Sequence, residues 1–241
     1  MKIIDSILTD AASIAAIRKD IHAHPELCFE EVRTADVVAK QLTDWGIPIH
    51  RGMGTTGVVG IVHGRDGGAS GRAIGLRADM DALPIAETSG KAWASKVFGK
   101  MHACGHDGHT AMLLSAARHL AATRHFDGIV HAVFQPAEEG LGGARKMLED
   151  GFLDLFPCDA MFGMHNGPGI PEGQFMAVPG CAMASADTCI ITIQGVGGHA
   201  AFPHNAVDPI LVGSALVMAL QSIVSRNVPP LQTGIISLGA F

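Results

Sequence analysis

Four short stretches concentrate the side chains able to hold a metal or move a proton. MHACGHDGHTAMLL (101–114) carries Cys104 among His102, His106 and His109, then turns apolar. VFQPAEEG contributes the adjacent pair Glu138 and Glu139, LRADMDALP gives Asp79 and Asp81, and FGMHNGPG gives His165. Cys thiolate, His nitrogen and carboxylate oxygen are the usual ligands of Zn, and Mn or Co use the same set. Cys104 and His106 stand two apart in an expected loop, so both can turn toward one centre. Adjacent side chains in extended chain point to opposite sides. One of Glu138 and Glu139 is therefore expected to bind metal while the other faces substrate. A metal hydrolase needs that division: one carboxylate ligand, and one free base to deprotonate water.

Each motif alone has a plainer explanation. Paired Glu is usually a solvated face, and a lone Cys-x-His is a weak sign. His165 could be a satisfied core His. Asp79 and Asp81 could form a turn before Pro84, or Asp81 could orient a metal-bound His from behind. His102 and His109 flank the cluster and are expected to support it. His22 and His24 suit the C-terminal end of a helix, where the dipole favours them.

The elements that must position these groups follow from hydrophobic period. Ile7, Ile14, Ile17 and Ile21 recur at helical spacing, which predicts an amphipathic helix over 6–23. Residues 30–45 repeat the pattern and stop at Gly46. TGVVGIVHG (56–64) and RAIGLRAD (72–79) read as buried strands, and the Gly-rich GRDGGASG between them suggests a hairpin. Residues 107–123 and 142–151 predict helices, and 128–135 and 159–165 strands. Alternating strands and helices imply an α/β domain with a mainly parallel sheet. In open sheets of this kind ligands bind beyond the carboxyl ends of the strands, where Asp79, Asp81, Glu138, Glu139 and His165 all fall. That convergence from separate regions is far more specific than any one motif. Near residue 186 the character changes: 187–195 predicts a strand, 208–226 a helix and 233–241 a strand. The chain ends inside that apolar strand, which suggests truncation.

The chain has 241 residues, enough for a substantial core. A formal charge of -6 without basic clusters argues against nucleic acid as a partner. The N-terminus is not expected to be a signal peptide, and no stretch approaches ~18 uncharged apolar residues, so no membrane span is expected. Five Cys without regular spacing do not form a disulfide framework. The expected compartment is the cytoplasm, with thiols reduced.

HAHPELCFEE, LRADMDALPI, MHACGHDGHTAMLL, VFQPAEEGLGGARKML, GMHNGPGIPEGQF and GVGGHAAFPH occur in an order that resembles the M20 metallopeptidases. The likeness is to the subgroup of aminoacylase/hippurate hydrolase-like amidohydrolases, which includes auxin-conjugate hydrolases, and covers essentially the whole chain. The resemblance implies two divalent ions (Zn, Mn, Co or Ni) held by Cys104, His106, Glu139 and His165, with Glu138 as general base. It implies that His199, in GGHAAFPH, acts from a lid domain on the substrate carbonyl or carboxylate, often in the partner's active site. It also implies an N-acyl amino acid as substrate and a homodimer through the lid. On this footing residues 1–185 form the metal-binding catalytic domain, lacking its C-terminal part. Residues 186–241 form an incomplete α+β (ferredoxin-like) lid, and one further metal-binding His of the family is missing.

Three hypotheses follow. The favoured one is metal-dependent hydrolysis of the amide of an N-acyl amino acid. A second makes Cys104 a nucleophile with a His as base. The third is a catalytically incomplete fragment that binds metal without turnover.

Overall fold

The computed structural model describes residues 3–241. The chain divides into two compact units, Met1–Glu172 and Gly173–Phe241.

In the first unit, helix α1 (Asp5–Ala23) packs on α3 (His106–Thr123), and its four periodic Ile residues are half-buried or buried. Helix α2 is Val32–Asp44; the chain then turns at Gly46, whose φ of 69° suits glycine. Strands β1 (Ile49–Met53), β2 (Gly57–His63), β3 (Ala73–Asp79), β4 (Ile129–Gln135) and β5 (Ala160–Gly163) form one mixed sheet in the order β1-β2-β4-β3-β5. The fold is a mixed α/β architecture, in which β3, β4 and β5 run parallel while β1 and β2 are antiparallel additions at one edge.

Side chains alternate across the sheet as strand geometry requires. Val58, Val62, Val130, Ala132 and Phe134 face α2 and α3. Val59 and Val133 face Met147 of α4 (Gly143–Glu149) and Phe152 of the short α5 (Phe152–Leu155). Helices on both faces bury β4 on both sides, which explains why both of its faces are apolar apart from His131 and Gln135.

The expected hairpin between 56–64 and 72–79 does not form. Strand β4 lies between β2 and β3, antiparallel to the first and parallel to the second. The hairpin that does form joins β2 to β1, which sequence period had not marked as a strand. The loop GRDGGASG instead serves β4. Asp66 accepts backbone N–H bonds from Gly68 (3.0 Å), Ser70 (2.8 Å) and Gly128 (3.1 Å), tying the loop to the residue before β4. These bonds hold the Asp66 carboxyl down to about 2. A depressed folded pKa contributes stability that is present above the unfolded value and lost as pH falls through the folded one. Asp66→Asn is therefore expected to flatten the loss of stability between about pH 4 and 2, read as urea midpoints against pH. Parallel curves for the two proteins would refute this.

In the second unit, helix α6 (Pro209–Asn227) begins as its sequence dictates. The Asp208 side chain accepts from Ile210 N–H (2.9 Å) and Leu211 N–H (3.4 Å), and Pro209 occupies the first turn. The two strands expected over 187–195 and 233–241 do not form. Those segments carry no ladder, and the one bridge among the described residues of this unit is Val196 with Val207. A strand exists only through its pairing partner, and here both segments instead border, with α6, an apolar cavity of about 1040 Å³. The expectation about membrane-length stretches is also corrected. Residues 209–226 carry one charge, Arg226, and an 18-residue window there has a mean hydropathy of 1.5, long and apolar enough to cross a membrane by length and composition alone.

Candidate metal centre

The parallel strands β3, β4 and β5 end at the same edge of the sheet, with Asp79 opposite Gln135 in register. The turn after β4 delivers Glu138 and Glu139, the turn after β5 delivers His165, and α3 starts between them with His106. Gly105, just before that helix, has a φ of 94°, and a Cβ there would stand 2.3 Å from the Asn166 side chain. Only glycine lets the helix start pass so close to the loop that carries His165.

His106 is the vertex of the site and is fully buried. Its Nδ1 lies 3.2 Å from Asp81 Oδ1, which turns Nε2 inward. That Nε2 has no hydrogen-bond partner among the described residues, although Asp79 Oδ2 is 3.7 Å, Glu139 Oε1 3.8 Å and Glu138 Oε2 4.0 Å away. Glu139 Oε1 is likewise buried and unpartnered. Two buried polar atoms facing each other beyond bonding distance suit a cation held between them. On the other side, Cys104 Sγ meets His165 Nε2 at 3.3 Å. Ligand atoms of Cys104, His106 and His165 lie within 4.8 Å of one another, as do those of His106, Glu138 and Glu139. This thiol, imidazole and carboxylate set fits a divalent metal.

The electrostatics agree. Burial works against charge on Asp81, but bonds from His106, from the Glu139 and Glu138 backbone and from Cys28 overcome it and hold its carboxyl down to about 2. Burial likewise disfavours the charged form of His106, yet the hydrogen bond to Asp81 and the fields of Asp79, Asp81 and Glu139 raise its pKa. The Cys104 thiol is pushed up to about 12 by burial, then by its bond to Glu139 and the nearby carboxylates. A bound metal is the ordinary way to ionise such a thiol.

Asp79, His106 and His109 form a third close group, in which Asp79 Oδ1 is bonded while Asp79 Oδ2 makes an ion pair but no hydrogen bond among the described residues. His109 Nδ1 meets Asp79 Oδ1 at 2.6 Å, and Arg77 Nη1 meets Asp79 Oδ2 at 2.7 Å. His109 Nε2 in turn receives the Asn166 backbone N–H at 3.1 Å. This relay fixes the loop bearing His165, so His109 supports the cluster as expected. His102 does not: it is buried, both ring nitrogens lack partners among the described residues, and burial pulls its pKa down to about 4. His24 caps α1, with Nδ1 2.8 Å from Asp20 O, while His22 instead bonds Asp107 (3.0 Å) and Glu87 (3.3 Å).

One expectation about direction fails. Glu138 and Glu139 do not point to opposite sides, because both approach His106 Nε2. The chain there is a turn rather than a strand: Ala137 has a left-handed φ of 49°, and Gly140 N–H bonds back to Glu138 O at 2.8 Å. What distinguishes the pair is exposure, 41% for the Glu138 side chain against 23% for Glu139.

His199 belongs to the second unit and is exposed. Its Nδ1 accepts the Ala201 backbone N–H at 3.1 Å. Sequence reasoning missed Arg77, Asn166 and Cys28, which orient the centre. Asn166 was marked only by its place beside His165.

The sequence profile of peptidase family M20/M25/M40 matches residues 75–238. The chain is 47% identical over 241 residues to the hippurate hydrolase of Campylobacter jejuni, covering all of this chain and 62% of that protein. It is 47% identical over 227 residues to the N-acetyl-L-cysteine deacetylase of Bacillus subtilis, covering 94% of this chain and 53% of that one. It thus spans less than two-thirds of either. Among solved structures it resembles a putative aminohydrolase from methicillin-resistant Staphylococcus aureus, with a TM-score of 0.76, 35% identity, and coverage of 98% and 62%. A Bacillus subtilis protein described as a dinuclear metal binding peptidase from the M20 family matches with a TM-score of 0.63 and 43% identity, over 68% of this chain and 45% of that one.

Proposed function

The chain belongs to peptidase family M20/M25/M40, and from that premise we propose that the protein hydrolyses the amide bond of N-acyl amino acids, giving a carboxylic acid and a free amino acid. The observation that carries this reading is the unpartnered His106 Nε2 facing the carboxylates of Asp79, Glu138 and Glu139, with the Cys104 and His165 pair beside it. The relatives named for hippurate and N-acetyl-L-cysteine share an amide between an acyl group and an amino acid.

In this reading Cys104, His106, Glu139 and His165 would hold two divalent ions drawn from Zn, Mn, Co and Ni. When bound, such ions supply Lewis-acid polarisation of the amide carbonyl and lower the pKa of the attacking water. The protein supplies the rest. Glu138, the more exposed of the pair, takes the water proton on a carboxylate oxygen and passes it to the leaving nitrogen. Asp81 holds the His106 ring by Nδ1, which keeps Nε2 in the donor position a metal needs. His199 would, as the resemblance implies, hydrogen-bond the developing oxyanion of a substrate. Its Nδ1 accepts a backbone N–H, which puts the proton of the neutral ring on Nε2, the form able to donate. The same reading places the protein in the cytoplasm, where reduced thiols leave Cys104 free for metal. A Cys104 nucleophile is disfavoured, although His165 lies within reach of the thiol, since a thiol hydrolase has no need of the carboxylates of Glu138 and Glu139 beside His106.

The test is metal stoichiometry measured alongside hydrolysis of hippurate and N-acetylcysteine, before and after chelation. About two ions per chain with chelator-sensitive turnover is expected. Metal binding without turnover would favour the incomplete-fragment reading, and turnover insensitive to chelators with loss on alkylation would favour the thiol.

A further inference from the structure

The segment HPELCFEE has no task in the reaction, yet two of its side chains grip the turn that carries Glu138 and Glu139. Glu31 is fully buried, and no cationic side chain pairs with it among the described residues. Its carboxylate accepts the Thr56 hydroxyl at 2.6 Å and the Ala137 backbone N–H at 2.8 Å. Ala137 is the residue held at a left-handed φ of 49°, a conformation that L side chains resist. The turn is closed from the other end by Gly143 N–H on Ala137 O at 2.9 Å. Two residues on, the single Cys28 S–H is shared between Asp81 Oδ2 (3.1 Å) and Glu139 O (3.2 Å), while Asp81 Oδ2 accepts Glu139 N–H (2.9 Å). The backbone is therefore clamped on both sides of Glu138, by residues more than a hundred positions earlier in the case of Glu31 and Cys28.

We propose that Glu31 is a positioning residue, whose carboxylate holds Ala137 in the left-handed turn that brings Glu138 and Glu139 to the same side, facing His106. A buried carboxylate with only neutral donors is a costly way to fill space. Its contribution lies in accepting one strained backbone N–H, which a side chain without an acceptor cannot do. Without that bond Ala137 relaxes toward an ordinary extended or helical conformation, the following peptide rotates, and Glu139 swings away from His106. The inference rests on the reading of Glu139 as a ligand and Glu138 as base.

The test compares Zn2+ affinity, by chelator competition, and the kcat against KM split in four variants. Glu31→Met keeps most of the volume and removes the acceptor. It is expected to weaken Zn2+ binding about tenfold or more, as loss of an orienting contact to a metal site does, and to lower kcat with KM little changed. Glu31→Gln, whose amide oxygen still accepts Ala137 N–H, is expected to recover most of that affinity. Ala137→Gly in the Glu31→Met background is expected to recover part of it, because glycine adopts the left-handed turn unaided. Glycine at 137 restores no volume or polarity at 31, so a purely structural role for Glu31 predicts no such recovery. Wild-type Zn2+ affinity in Glu31→Met, or no gain from Ala137→Gly, would overturn the proposal. The fourth variant, Glu139→Gln, separates the two ideas. If it weakens Zn2+ binding while Glu31→Met does not, only the positioning role fails. If it leaves affinity unchanged, the reading of the site fails and this inference with it.

Discussion

Glu138→Gln is expected to lower kcat on N-acyl amino acids by about a thousandfold, within the range general base catalysis supplies, while metal content and thermal stability stay at wild-type values. The substitution is nearly isosteric and removes only the ability to take a proton. The Glu138 side chain is 41% exposed and reaches the cluster at 4.0 Å from His106 Nε2, so little packing depends on its charge. Because Glu138 lies in the same close group as His106 and Glu139, the alternative is that it is itself a ligand. Metal analysis distinguishes the two: loss of an ion together with activity would make Glu138 a ligand, and near wild-type turnover would remove it from the reaction altogether.

His106→Ala is expected to be the most damaging single change in the site. His106 belongs to all three close groups of potential ligands, so its loss breaks each of them. Zn2+ affinity should fall by more than about a hundredfold, beyond the effect of an orienting contact. The metal-free protein should also lose about 3 kcal/mol of stability, since breaking a buried pair strands its partner. Asp81, buried and charged, would lose its hydrogen bond at Oδ1. The sign of the pH dependence follows from the raised pKa of His106. A raised folded pKa contributes stability that is complete below the unfolded value and lost as pH rises through the folded one. The stability gap between wild type and variant, read by urea denaturation without metal, should therefore narrow on the alkaline side. A gap that widens there, or a variant whose melting temperature still rises on adding Zn2+, would contradict the assignment.

Much of the centre was legible before the fold was known, and the reason is locality. Helix period in the Ile7 to Ile21 series and in residues 107–123 depends on neighbours a few positions away, and α1 and α3 formed with boundaries within one residue of expectation. Polar residues directly after apolar strands must lie at strand ends, so Asp79, Glu138, Glu139 and His165 converge on one edge once β3, β4 and β5 run parallel. The residue types then name the chemistry, because thiol, imidazole and carboxylate together suit a divalent metal.

Tertiary structure alone decided the rest, in each case through a partner remote in sequence. Adjacent apolar strands with a Gly-rich connection look like a hairpin, but β4 entered between β2 and β3, and nothing local to either strand encodes that choice. Segments 187–195 and 233–241 have strand composition without a ladder, since pairing belongs to two segments and not to one. The directions of Glu138 and Glu139 turned on the φ of Ala137, and that angle is braced by Glu31, 106 positions away. Residue chemistry and period were thus set by the sequence itself, whereas strand order and the aim of the two glutamates were set by contacts that only the folded chain creates.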